Sequence, residues 1–435
     1  DSMSHARTTR RVLAAVASVG AVLITAACSS STTPAGSASA AGVNWDERGP
    51  ITYAQGKDTA GVWKGVLDEW NTAHPNEQVT LIELSPEADQ QRADMIKRGQ
   101  AKSGEFSVMS VDVVWTAEFA ANGWLQELPK DKFPTDGMLA SAVDAASYFG
   151  KLYAYPQSSD GALLYYRSDL LDKAGLKPPT TWDEMQAACD KVLPTQKGMS
   201  CYSGQFQKYE GLTCNVAEAV NSAGGEFITA DGKPAVNSAE AVAGLTWMVD
   251  GFKSGMIPKE AITWKEEESR QAFQDGKILF LRNWPYVYNL ASKTDGSSKV
   301  AGKFGVAPIP GKTGPGVSTL GGHNIGISAF AKNKGTAGDF IKWIASEAQQ
   351  KTFLQKGSLA PILESMYADA DLNKQFGYLS TLGESIKNAQ ARPKAVRYGD
   401  VTSAIQDATY AALQGQQTPT DAFNGLQTKL EDLLK

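Results

Sequence analysis

The chain is thinly equipped for catalysis near neutral pH. Of its three histidines, His5, His74 and His323, the first lies in an N-terminal export segment. Its four cysteines, Cys28, Cys189, Cys201 and Cys214, form no CxxC and no Cys/His spacing suited to zinc, so neither a metal nor any other cofactor is expected. No GxSxG, HExxH or GxGxxG occurs. The stretch from Gly305 to Thr313 misses a phosphate loop, because five residues, two of them proline, separate Gly305 from Gly311. Two carboxylates working as glycosidase acid and base are compatible with the supply of Asp and Glu, although no spacing marks such a pair. What stands out is an abundance of Trp and Tyr, with polar residues at strand ends and in loops. Sugars present C–H faces that stack on aromatic rings and hydroxyls that need donors and acceptors, and this mixture suits a carbohydrate cleft.

These side chains must be held by regular elements, and the pattern supplies them. Ile51 to Tyr53 reads as a strand, Trp63, Val66, Leu67 and Trp70 recur at helical spacing, and Val79 to Ile82 is a second strand. A helix over Asp89 to Arg98, an apolar strand over Val108 to Trp115 and a short helix over Thr116 to Asn122 follow. A second region repeats the alternation: a strand over Leu163 to Tyr166, a helix from Trp182, a strand around Cys201, a helix from Gly211 to Gly224, helices over Glu240 to Ser254 and Glu266 to Gln274, and a strand over Ile278 to Leu281. A helical C-terminus begins near Val401. Alternation of this kind predicts an α/β protein with mostly parallel sheets and ligand groups at the carboxyl ends of the strands. Asp112, inside Val111-Asp112-Val113-Val114, is a charge in a buried strand and requires a partner, either ligand hydroxyls or a basic side chain.

With 435 residues there is room for two or three domains, and 42 Lys and Arg against 47 Asp and Glu leave no basic footprint for nucleic acid. Arg7, Arg10 and Arg11 precede an apolar run from Val12 to Ala27, and Ala26-Ala27-Cys28 fits bacterial lipoprotein processing; Cys28 is the expected lipidation site. Residues 1–28 are thus signal segment and anchor, and residues 29–44 a flexible tether rich in Ser, Thr, Ala and Gly. An exported body favours one disulfide and one free thiol. Three pairings are open, with Cys189–Cys201 preferred because the two sit near the end of one helix and the start of the next strand.

The lipoprotein start, Val111 to Phe119, Gly150-Lys151-Leu152-Tyr153-Ala154-Tyr155-Pro156, Asn283-Trp284-Pro285 and Gly321-Gly322-His323-Asn324, in this order, resemble the extracellular sugar-binding proteins of ABC importers, in particular the trehalose/maltose-binding branch. The resemblance implies a two-lobed periplasmic-binding-protein fold of discontinuous lobes joined by hinge strands, 45–157 plus 325–365 and 158–324 plus 366–435. It implies a monomer, lipid-anchored on the outer face of the membrane, that closes over a disaccharide or short oligosaccharide of α-glucoside type and delivers it to ABC permease subunits. The other reading is a secreted carbohydrate-active hydrolase.

Position by position, the resemblance assigns ligand contacts to Asp58, Gln91, Asp112, Asp160, Tyr209, Glu210, Glu266, Trp284, Gly322, His323 and Arg392. Within that set Trp284 is the stacking platform, Gly322 a close backbone approach, Arg392 a fork of donors for hydroxyls and His323 a rim contact. The plainer alternatives are helix capping for Asp58 and Gln91, a salt bridge for Asp112, a helix-end charge for Glu266, a core role for Trp284 and an ordinary surface for Tyr209 and Glu210.

Overall fold

The structure, a computed structural model, describes residues 36–435. Cys28 and the signal segment lie outside the described residues. Two sheets dominate. The first contains β1 (Ile51–Gln55), β2 (Val79–Glu83), β3 (Val108–Asp112), β6 (Tyr155–Ser158) and β11 (His323–Ile327), in the order β2-β1-β3-β11-β6. The second contains β7 (Leu163–Tyr166), β8 (Ser200–Ser203), β9 (Ile278–Asn283) and β10 (Gly305–Ala307), in the order β10-β7-β9-β8. A small hairpin, β4 (Ser147–Tyr148) with β5 (Lys151–Leu152), stands apart from both.

The sheets are mixed rather than mostly parallel. β1 runs parallel to β2 and β3, and β8 parallel to β9, each after a helical crossover. β11 is antiparallel to β3 and β6, and β7 is antiparallel to β9 and β10. The sequence pattern misses this because the chain changes sheets twice without a helix. It leaves the first sheet after β6 and enters the second at β7, then returns from β10 to β11 through irregular chain. A strand delivered without a crossover helix is free to run backwards.

Each sheet carries its own apolar layer. Tyr53, Trp63, Leu67, Trp70, Phe340 and Phe353 pack on the first sheet, and Leu164, Phe280, Val216, Leu245 and Phe423 on the second. The helix Glu210–Ser222 is buried along eleven consecutive positions from Glu210 to Val220, sandwiched by Ala239–Ser254 and Tyr398–Leu413. That explains why it is nearly continuous in small and apolar residues instead of amphipathic.

The C-terminal helix is two helices, Tyr398–Leu413 and Pro419–Leu433. The break falls at Gly415, whose φ of +77° suits glycine, and Thr418 caps the second helix by accepting from the Asp421 N–H, with Pro419 in the first turn. Cys189, on the helix Trp182–Val192, and Cys201, on β8, form the disulfide with a Cα separation of 5.5 Å, leaving Cys214 free and buried.

The tract read as a tether is held over its last part. Ser39 O accepts from Gln126 Nε2 at 2.9 Å, Ala38 O accepts from the Glu127 N–H at 2.9 Å, and the Ala40 N–H donates to Glu127. Backbone groups make all three of these bonds on the tract's side, so a composition poor in apolar residues does not prevent docking. Among the described residues no helix is long and apolar enough to cross a membrane.

Candidate functional site

The strand ends converge on a cavity of about 370 Å³. Its wall takes Gln55 from the end of β1, Asp112 from the end of β3, Ser158 from β6, His323 from the start of β11 and Trp284 just after β9. Ten of the eleven residues assigned from the sequence line it: Asp58, Gln91, Asp112, Asp160, Glu210, Glu266, Trp284, Gly322, His323 and Arg392. Tyr209 does not. It lies buried behind the wall and donates its hydroxyl to Glu266 Oε2 at 2.6 Å, so it holds a wall residue in place instead of forming the wall.

The centre of the wall is ionic. Arg392 donates to both oxygens of Asp112, at 2.6 and 3.1 Å, and to Glu210 Oε1 at 2.7 Å. Tyr398 and Thr402 donate to the same Glu210 carboxylate. The partner that Asp112 needs is therefore an arginine, and the sugar-facing fork expected of Arg392 is already engaged on two carboxylates. The reason is burial: all three groups are less than a tenth exposed, and an ion this deep must be matched by protein. Burial pushes Glu210 up to about 7, opposed by Arg392 and reinforced by Asp112.

Asp58 caps the helix Trp63–Ala73, its carboxylate accepting from the Val62 and Trp63 N–H groups at 3.1 and 2.8 Å while its edge remains on the cavity. Gln91 donates to Ser85 O at 2.9 Å and is buried. Glu266 opens the helix Glu266–Gln274 and is raised by burial, with the Tyr209 hydroxyl working against the rise.

Trp284 presents an aromatic face whose other side is occupied. The Arg282 guanidinium sits 4.2 Å from its ring centroid, itself clamped by Glu218 at 2.6 and 2.8 Å. Gly322 has φ +107°, and a Cβ there would lie 2.3 Å from Ser158 O, so glycine is obligatory where the chain passes between sheets. His323 is a wall residue rather than a rim residue: it pairs in register with Asp112, and burial lowers its pKa.

Sequence reading did not find the cavity's apolar side, Ala60, Trp63, Phe353 and Leu359. Trp63 has helical periodicity, and nothing in a periodicity distinguishes a core ring from a ring that also borders a cavity. It also did not find the ion pair between Lys265 and Glu87, whose partners lie 178 residues apart.

Residues 53–351 match the family model described as bacterial extracellular solute-binding protein. A probable ABC transporter-binding protein of Deinococcus radiodurans is 32% identical over 376 residues, spanning 83% of this chain and 88% of that protein. A mannitol-binding protein of Pseudomonas aeruginosa is 26% identical over 67% of each chain. Among solved structures, maltose-bound MalE3 of T. maritima superposes with a TM-score of 0.84 at 32% identity, covering 88% of this chain and all of that one. The GacH receptor of Streptomyces glaucescens, solved unliganded and with acarbose, shares the fold at a TM-score of 0.78 and 24% identity, covering 89% and 98%. With the two-lobed fold, a cavity at converging strand ends and a family match across most of its length, this chain belongs to the bacterial extracellular solute-binding proteins, which bind their ligands without chemistry on them.

Proposed function

We propose that the chain is the sugar receptor of an ABC importer, taking an α-glucoside of trehalose or maltose type between its lobes and presenting it to the permease. The observation that carries this reading is the cavity wall itself: one open Trp284 face beside carboxylates and amides, with an apolar side opposite, the combination that a ring with C–H faces and hydroxyl edges requires. The maltose held by the T. maritima relative supports the sugar class. The lobes are 45–157 plus 325–365 and 158–324 plus 366–435, and Cys28 carries the lipid that keeps the monomeric receptor on the outer face of the membrane. Ligand favours the closed lobes, and the permease reads the closed state.

Calorimetry of residues 38–435 against trehalose, maltose, maltotriose and sucrose tests this, with the sugar recovered afterwards. One-to-one binding of an intact sugar is expected. Binding of none of these, or cleavage, overturns the reading. Trp284→Ala is expected to weaken binding by about 2 kcal/mol, roughly thirtyfold, while the protein still unfolds cooperatively.

A further inference from the structure

The carboxyl groups around the cavity are not equivalent. Asp58 accepts two backbone N–H bonds, Asp112 and Glu210 share Arg392, Glu266 accepts from Tyr209, and Glu267 accepts from Tyr286 and Arg270. Glu87 pairs with the Lys265 ammonium and Glu268 accepts from the Lys265 N–H. Asp160 differs. Its backbone is fixed by reciprocal bonds with Gly321, N–H to O at 3.2 Å and O from N–H at 2.8 Å, but among the described residues no donor reaches its carboxyl oxygens. It lines the cavity beside Trp284, on the loop between β6 and β7 where the chain changes sheets.

We propose that sugar binding by this receptor is linked to a proton at Asp160: its carboxyl meets the hydroxyl donors of a neutral sugar in the charged form, and binding drives its own proton into solvent. This rests on the sugar-receptor reading above. The balance is simple: the protonated acid plus sugar gives the carboxylate–sugar complex plus one released proton. In the empty protein, burial pushes Asp160 up to about 7, reinforced by Asp112. The titratable groups packed around it are Asp112 at the end of β3, Tyr165 on β7 and Tyr367 on the helix Glu364–Tyr367, and Asp112 in turn is held by Arg392 and lies beside His323. Among the described residues no cation touches it, so the charged form has no stabiliser until hydroxyl donors arrive. The protonated acid and the ligand therefore compete, and affinity falls by up to about tenfold per pH unit as pH drops below 7.

Calorimetry at pH 6.5 in phosphate and in Tris, whose protonation enthalpies differ, measures the proton directly with whichever sugar binds. Release of a substantial fraction of one proton is expected from wild type, and none from Asp160→Asn. Sugar binding without release, or full release from Asp160→Asn, overturns the proposal and leaves the receptor reading intact; failure of every sugar to bind overturns both. Melting without ligand gives a second readout. A group raised on folding costs stability as pH rises through its folded value, so Asp160→Asn is expected to melt with wild type near pH 4 and above it at pH 8. Equal melting at both pH values also overturns the proposal.

Discussion

Two buried arginines serve this molecule in opposite ways. Arg282 is committed within one layer: it leaves β9, is clamped by Glu218, donates to Gln205 Oε1 at 2.8 Å and lies flat beneath Trp284. Arg392 joins distant parts of the chain, from a loop before the last two helices to Asp112 on the first sheet and Glu210 on the helix behind the second. Both are buried and both satisfy carboxylates, so burial and charge alone do not separate them. What separates them is connectivity. One makes a platform rigid; the other ties the first sheet to the helix behind the second across the wall of the candidate cavity.

The sharpest way to break this comparison is Arg282→Met. It strands Glu218 as a buried ion and is expected to cost about 3–5 kcal/mol of stability, read by chemical denaturation; a loss below 1 kcal/mol would remove the distinction drawn for this clamp. Arg392→Met strands Asp112 and Glu210, but both line the cavity, where water can take over part of the lost pairing, so it is expected to cost less than Arg282→Met and, through Glu210, to do so in a pH-dependent way. Glu210 is already raised to about 7 and the substitution raises it further, so the Glu210 share of the penalty is small when it is protonated at pH 5 and grows as pH rises through 7, on top of the loss at Asp112. Melting curves at pH 5 and 8 check this, and a deficit that is larger at pH 5 contradicts it. The smallest effect is expected from Glu87→Gln. The Lys265–Glu87 pair lies at the half-exposed edge of the cavity, and its loss should change stability by less than about 1 kcal/mol, with the change vanishing in 1 M salt.

The sequence carried the frame of the site well. Patterning located β1, β2, β3, β7, β8 and β9, whose ends are where α/β proteins expose ligand groups, and Asp112 and Trp284 stand at such ends; β6, β10 and β11 were not read as strands, and Gly322 and Trp284 were singled out through the resemblance. Their partnerships were another matter. Arg392 lies 280 residues from Asp112 and 182 from Glu210, and no local pattern encodes which of several arginines will cross that distance. That Tyr209 lies behind the wall was not legible for a related reason: a residue that supports a wall carboxylate and one that faces the cavity have the same composition and the same neighbours in sequence. Strand direction was lost where β11 re-enters the first sheet, because direction depends on the route of the chain between sheets, which hydrophobic periodicity does not describe.

The free thiol of Cys214 borders this same wall, one turn along the helix from Glu210, and burial pushes it up to about 12 against the pull of Arg392. At neutral pH it is thus almost wholly the thiol, which neither attacks the Cys189–Cys201 bond nor reacts quickly with alkylating reagents. Wetting of the wall would bring the thiol back towards its ordinary range and raise its thiolate share, so the rate at which Cys214 is alkylated reports how far water reaches this part of the wall.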